Sequence, residues 1–193
     1  MATFGWPIEL TPAQVSWGIQ KAGVGFRSPM AGNLESIEFP GAFWRVSITL
    51  PEMSIDDGVS AQAFFARLAG GVDRVLVPYW MRPEPYGTMR GSPTLSAQAV
   101  RGVNVLAIAA NGTLRRGDML GIDGTFFQVA QDATASGGVI TVATVNRARR
   151  LIAAGSPVLW ASPTMTALVP SQSSIDNYEP GKHSPLAIDL EEA

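Results

Sequence analysis

The stretch GDMLGIDGTFFQVAQDATASGGVITV, residues 117–142, decides the fold class. Two apolar runs, each broken by a glycine turn, lead into a third. Asp123-Gly124 accepts the positive φ angles of a tight hairpin. Gly137-Gly138 makes a second turn, and β-branched residues follow it from Val139 onward. The segment reads as a β-meander. It holds no cysteine, no histidine and no cluster of acids.

The same grammar extends in both directions. VNVLAIAANGTL (103–114) ends at Asn111-Gly112, a turn signal, and LIAAGSPVLW (151–160) supplies one more short run. Five or six short strands at spacings of about ten residues predict a small β-barrel or sandwich over residues 97–160. Ahead of it lies PYWMRPEPYGTMRGSPTLS (78–96), with four prolines and two glycines among Tyr79, Trp80 and Tyr86. That composition is an irregular crossing of the kind that separates domains.

Residues 1–96 and 161–193 read as the other domain, also β-rich. Its first thirty residues carry Trp6 and Trp17 without a sustained period and read as an extended arm or irregular strands. Ile37 and Phe39 alternate with Ser36 and Glu38 until Pro40-Gly41 breaks the run. Trp44, Val46, Ile48 and Leu50 then alternate with Arg45, Ser47 and Thr49, which predicts a half-buried strand in an antiparallel sheet. The period switches to that of a helix over about 54–69. Ser54 and Asp57 form a capping-box-like start, Asp56 and Asp57 suit the helix dipole, and Ala61, Phe64, Phe65 and Leu68 make one stripe. Gly70-Gly71 ends the helix, and DRVLVPY (73–79) is a strand closed by Pro78. In the tail, Met165, Ala167 and Val169 alternate. Leu186, Ile188 and Leu190 do so again, as a last strand expected to rejoin the N-terminal sheet. The fold class is therefore mainly β with one short helix, a β-sandwich-like domain carrying an inserted small β-domain.

Composition narrows the function. The 193 residues are 46% hydrophobic with net charge −2, enough apolar material for a core and too few clustered cations for a general polyanion binder. The basic cluster Arg147, Arg149 and Arg150, preceded by Arg115 and Arg116, reads as a solvated face or a partner contact. No nucleic acid is expected. The absence of cysteine excludes disulfides and thiolate metal sites. Neither a signal-peptide pattern nor an apolar run of the roughly 20 residues needed to span a bilayer occurs, so no membrane insertion is expected. Asn111 in NGT matches a glycosylation pattern but reads as a turn.

Catalytic constellations are absent. His183 is the single histidine. Its neighbour Ser184 would make a conceivable dyad, but no G-x-S-x-G elbow exists and adjacent side chains rarely reach that geometry. Asp118 and Asp123 lack EF-hand spacing and read as turn residues. Asp56 and Asp57 read as capping rather than as an acid–base pair. No catalytic residue, cofactor or metal is expected, and the protein is not expected to be an enzyme.

Three segments carry a resemblance. FWRVSITLPEMS together with AFFARLAGGVDRVLVP resembles the early part of distal-tail, or baseplate-adaptor, proteins of long-tailed bacteriophages. GDMLGIDGTFFQVAQDATASGGVITVATV is similar to their second half, and SPLAIDLEEA to their terminal strand. The likeness runs from about Trp17 to the end of the chain. It implies a ring-forming domain, a homo-hexameric collar, and contacts with tail-tube, hub and tail-fibre proteins. It also implies residence at the tail tip of a virion assembled in the host cytoplasm. Trp6, Trp17, Tyr79, Trp80, Arg82 and Tyr86 are the candidates for its interfaces, because tryptophan, tyrosine and arginine dominate interface energy. The competing expectation is a carbohydrate- or receptor-binding module of a phage tail, with Tyr79, Trp80 and Tyr86 as its aromatic platform.

Overall fold

The computed structural model describes residues 2–21, 23–27, 32–38, 41–170, 178–179, 182–183 and 185–193, with the backbone alone at 34, 38, 178–179 and 182–183. The chain is mainly β, with one helix among the described residues. The first elements are β1 (Thr3–Gly5), β2 (Gln14–Gln20), β3 (Gly23–Arg27), β4 (Leu34–Glu38), β5 (Phe43–Thr49), α1 (Ile55–Leu68) and β6 (Arg74–Pro78). Then come β7 (Thr94–Leu95), β8 (Val105–Ala109), β9 (Thr113–Leu114), β10 (Met119–Ile122), β11 (Thr125–Gln128), β12 (Ala133–Thr134) and β13 (Val139–Ala143). The last are β14 (Val158–Leu159), β15 (Thr164–Leu168), β16 (Tyr178–Glu179), β17 (Lys182–His183) and β18 (Ala187–Glu192).

Two compact units result. The first comprises Met1–Gly18, Trp44–Pro78 and Thr164–Ala193, and the second Ile19–Phe43 and Tyr79–Pro163.

The first unit is built on a six-stranded sheet in the order β1-β6-β15-β18-β5-β2. Alternation in β5 places Trp44, Val46 and Ile48 in the core and leaves Arg45 and Ser47 exposed. The last strand, β18, lies between β15 and β5 and is antiparallel to both. Leu190 is fully buried there, and the Glu192 carboxylate accepts the Trp44 backbone N–H at 3.1 Å. β18 is paired along Ala187–Glu191 on one edge and at Glu191 and Glu192 on the other, so the tail is integral to this unit. The N-terminal arm contributes β1, which pairs parallel with β6 through Phe4↔Val75. Local sequence carries no sign of that pairing.

The helix starts where its cap predicts. Ser54 Oγ accepts the Asp57 backbone N–H at 3.2 Å, and Asp56 and Asp57 occupy the first turn. Ala61, Phe65 and Leu68 are buried, joined by Gly58, while Phe64 is half-buried. Gly70 and Gly71 follow at φ +95° and +67°, the left-handed region where a Cβ is strained.

The second unit wraps several short sheets around one apolar cluster. Its sheets are β11-β10-β14, β13-β8-β7 and β12-β9, with the hairpin β3-β4 apart from them. Asp123 and Gly124 turn β10 into β11 with φ +49° and +73°, the two positive angles of the predicted hairpin. Ile108, Leu120, Phe127, Ile140 and Ile152 lie in the cluster, and so do Met89 and Leu95. A domain beginning at 97 would leave those last two out. The unit's second segment begins at Tyr79, because the proline-rich crossing is bonded into it.

Candidate functional site

The crossing is held by one carboxylate. Asp118, 1% exposed, accepts the backbone N–H of Tyr86 at 2.8 Å, of Gly87 at 3.0 Å and of Arg115 at 2.8 Å. Arg82 adds a fourth, charged donor at 3.3 Å. A buried anion needs such saturation, since an unpaired one costs several kcal/mol. Asp118 is thus a clasp, not the simple turn residue its sequence context suggests. The signal was out of local reach, because two of its backbone donors lie more than thirty residues upstream. Trp160 fastens the crossing again, donating its indole N–H to the Gly91 carbonyl at 2.8 Å. Replacing Asp118 by alanine is expected to destabilise the second unit by about 3–5 kcal/mol. Urea unfolding followed by tryptophan fluorescence measures it, and a loss below about 1 kcal/mol would refute the clasp.

The six interface candidates divide by environment. Trp6 is half-buried. Its indole N–H donates to the Leu10 carbonyl at 2.7 Å, and its ring packs against Phe64 at 6.3 Å and Phe65 at 5.9 Å. It serves the packing of its own unit. Trp17 is half-buried on β2, and Trp80 is half-buried in the crossing. Tyr79 turns its ring onto Phe126 at 5.7 Å, and burial pushes its phenol above the ordinary value, with Arg82 opposing. Tyr86 is 72% exposed, and the Arg82 guanidinium stacks 3.5 Å from its ring centroid. Such cation–π contacts are worth about 0.5–1 kcal/mol in exposed positions. Tyr79 and Tyr86 therefore face different surroundings, and one face of Tyr86 is already taken.

No family model matches the chain, and no curated protein matches it.

A cluster of exposed apolar side chains lies elsewhere. The hairpin of β3 and β4 pairs Gly23↔Glu38 through Arg27↔Leu34, and all of β3 is exposed. Val24 and Phe26 share one face of β3, and Ile37 stands directly across from Val24. Their exposures are 59%, 63% and 65%. Glycines at 23 and 25 occupy the opposite face of β3. Alternation at Ile37 predicts a strand at β4, whereas β3 lies in the stretch without a sustained period, and neither indicates that this face is open. The edge of the first sheet adds a second feature. β2, at one end of the strand order, contains neither charge nor proline, the usual devices that blunt an edge.

The remaining candidates for chemistry are structural or lie beyond view. Asp123 occupies the hairpin turn and pairs with Arg150 at 3.4 Å. Asp56 and Asp57 lie in the first turn of α1 behind its cap, Ser54. The His183 side chain and all of Ser184 lie outside the described residues. Among the described residues no group of three His, Asp or Glu side chains converges on a metal position, and no helix is long and apolar enough to cross a membrane.

Proposed function

We propose that the protein is a structural component of a bacteriophage tail tip, assembling as a six-membered ring that joins the tail tube to hub and fibre proteins. The exposed apolar hairpin carries the reading. A two-stranded hairpin is marginal in water by itself, and β3-β4 presents Val24, Phe26 and Ile37 to solvent at about two-thirds exposure. Covering one such side chain contributes on the order of 1–2 kcal/mol, so the hairpin gains its stability against another surface. The phage assignment itself rests on the resemblance of the quoted segments to distal-tail proteins.

The variant Phe26→Ser with Ile37→Ser is expected to leave the melting temperature within a few degrees of the parent and to prevent incorporation into particles. Immunogold labelling of particles should place the wild-type chain at the tail end remote from the head. Its recovery only from the soluble lysate, with unlabelled particles, would overturn the proposal.

A further inference from the structure

The two units differ in charge. Met1–Gly18, Trp44–Pro78 and Thr164–Ala193 carry four Lys and Arg against ten Asp and Glu, a net of −6. Ile19–Phe43 and Tyr79–Pro163 carry ten against six, a net of +4. Within Tyr79–Pro163 every cation is arginine. The acids of that segment, Glu84, Asp118, Asp123 and Asp132, each already hold one arginine.

Two of these arginines, Arg101 and Arg147, lie on adjoining segments. The turn at 101–103 lies along 147–148, joined by Gly102 N–H to the Ala148 carbonyl at 2.7 Å and Ala148 N–H to the Val103 carbonyl at 2.8 Å. Arg147 donates to the Gly102 carbonyl at 3.0 Å, which sets its guanidinium against the backbone of the residue that follows Arg101. Among the described residues neither arginine has an acidic partner. Next to them, the bridge of Ala99 with Ile152 turns both those side chains inward. Their neighbours Val100 and Leu151 stand 50% and 59% exposed. An open apolar pair beside uncompensated arginines is the composition of a protein interface, where arginine is enriched and lysine depleted.

We propose that the surface of Val100, Arg101, Arg147 and Leu151 docks the acidic first unit of a second copy of this chain. The occupant follows from charge. The first unit of the chain carries the complementary net charge of −6, and attraction between opposite charges selects that partner. A contact between two different patches is heterologous, and its repetition closes into a ring when the rotation divides the circle. The inference rests on the ring reading above and adds a contact to it.

Sedimentation velocity of the full chain tests this, with salt as the lever, because charge acts over about 30 Å at 0.01 M and about 3 Å at 1 M. Wild type is expected to associate with rising concentration at the lower salt and to sediment as a monomer at the higher. Arg101→Glu with Leu151→Ser alters exposed side chains only. It is expected to weaken association at least tenfold while leaving the circular-dichroism melt unchanged. A wild type that stays monomeric at low salt, or a variant that associates like wild type, overturns the docking surface. Association indifferent to salt also overturns it and assigns the contact to the apolar hairpin. The ring reading fails separately, on the symmetry of the assembled particle.

Discussion

Truncation before Ser184 is expected to leave a product without a cooperative melt, prone to aggregate and to bind hydrophobic dyes. The deletion removes β18 from the interior of the six-stranded sheet, so β5 and β15 each lose a hydrogen-bonded neighbour. Leu190 goes with it, worth about 1.5–3 kcal/mol when buried, and so does the Glu192 carboxylate that satisfies Trp44. New edges on two buried strands also invite pairing between chains. Set against a total stability of about 5–15 kcal/mol, the loss is decisive. A truncated chain that melts like the parent would place β18 outside the sheet.

The second large effect is expected at Gly87. A Cβ there would overlap the Thr113 carbonyl oxygen and lie 2.7 Å from Leu114 Cα. Both are backbone atoms, held in place because Met89 N–H donates to that same carbonyl at 3.1 Å. Thr88 and Thr113 lock the strip further, each backbone N–H donating to the other's hydroxyl at 3.1 Å. No side chain can swing aside, so Gly87→Ala must push the crossing away from β9. That strains the Asp118 clasp, which holds Gly87 N–H at 3.0 Å. The expected cost is more than about 3 kcal/mol, at the upper end for overpacking. Its signature is an early unfolding transition of the second unit, read as lost amide protection around residues 85–90. Gly91, with open space around its Cβ position but φ +86°, is the control. Gly91→Ala should cost about 1 kcal/mol, the strain of a left-handed conformation.

What sequence could and could not foretell follows from the range of each interaction. The alternation of Trp44 through Leu50, the Ser54 cap and the Asp123-Gly124 hairpin are local, and each lies where its pattern places it. Asp118 is different. Its partners Arg82, Tyr86 and Gly87 belong to a segment with the composition of a linker, which puts the boundary at 97, whereas Met89 and Leu95 lie in the apolar cluster of the second unit. Gly87 has no positive φ to mark it, and its constraint comes from a strand reached only in the fold. Val24, Phe26 and Ile37 show the same limit in another form. Alternation indicates that a strand has an apolar face, not what covers that face. At Trp6, an interface candidate by composition, the ring packs on Phe64 and Phe65 of α1, a contact that no local pattern announces.

The central claim is that this chain closes into a ring through surfaces it leaves open when alone. Electron cryomicroscopy of the assembled particle tests it most directly. The account predicts six-fold symmetry at the layer containing this chain, with Val24, Phe26 and Ile37 covered by a neighbouring molecule. A single central copy, three-fold symmetry at that layer, or a hairpin face still open to solvent in the particle would contradict it.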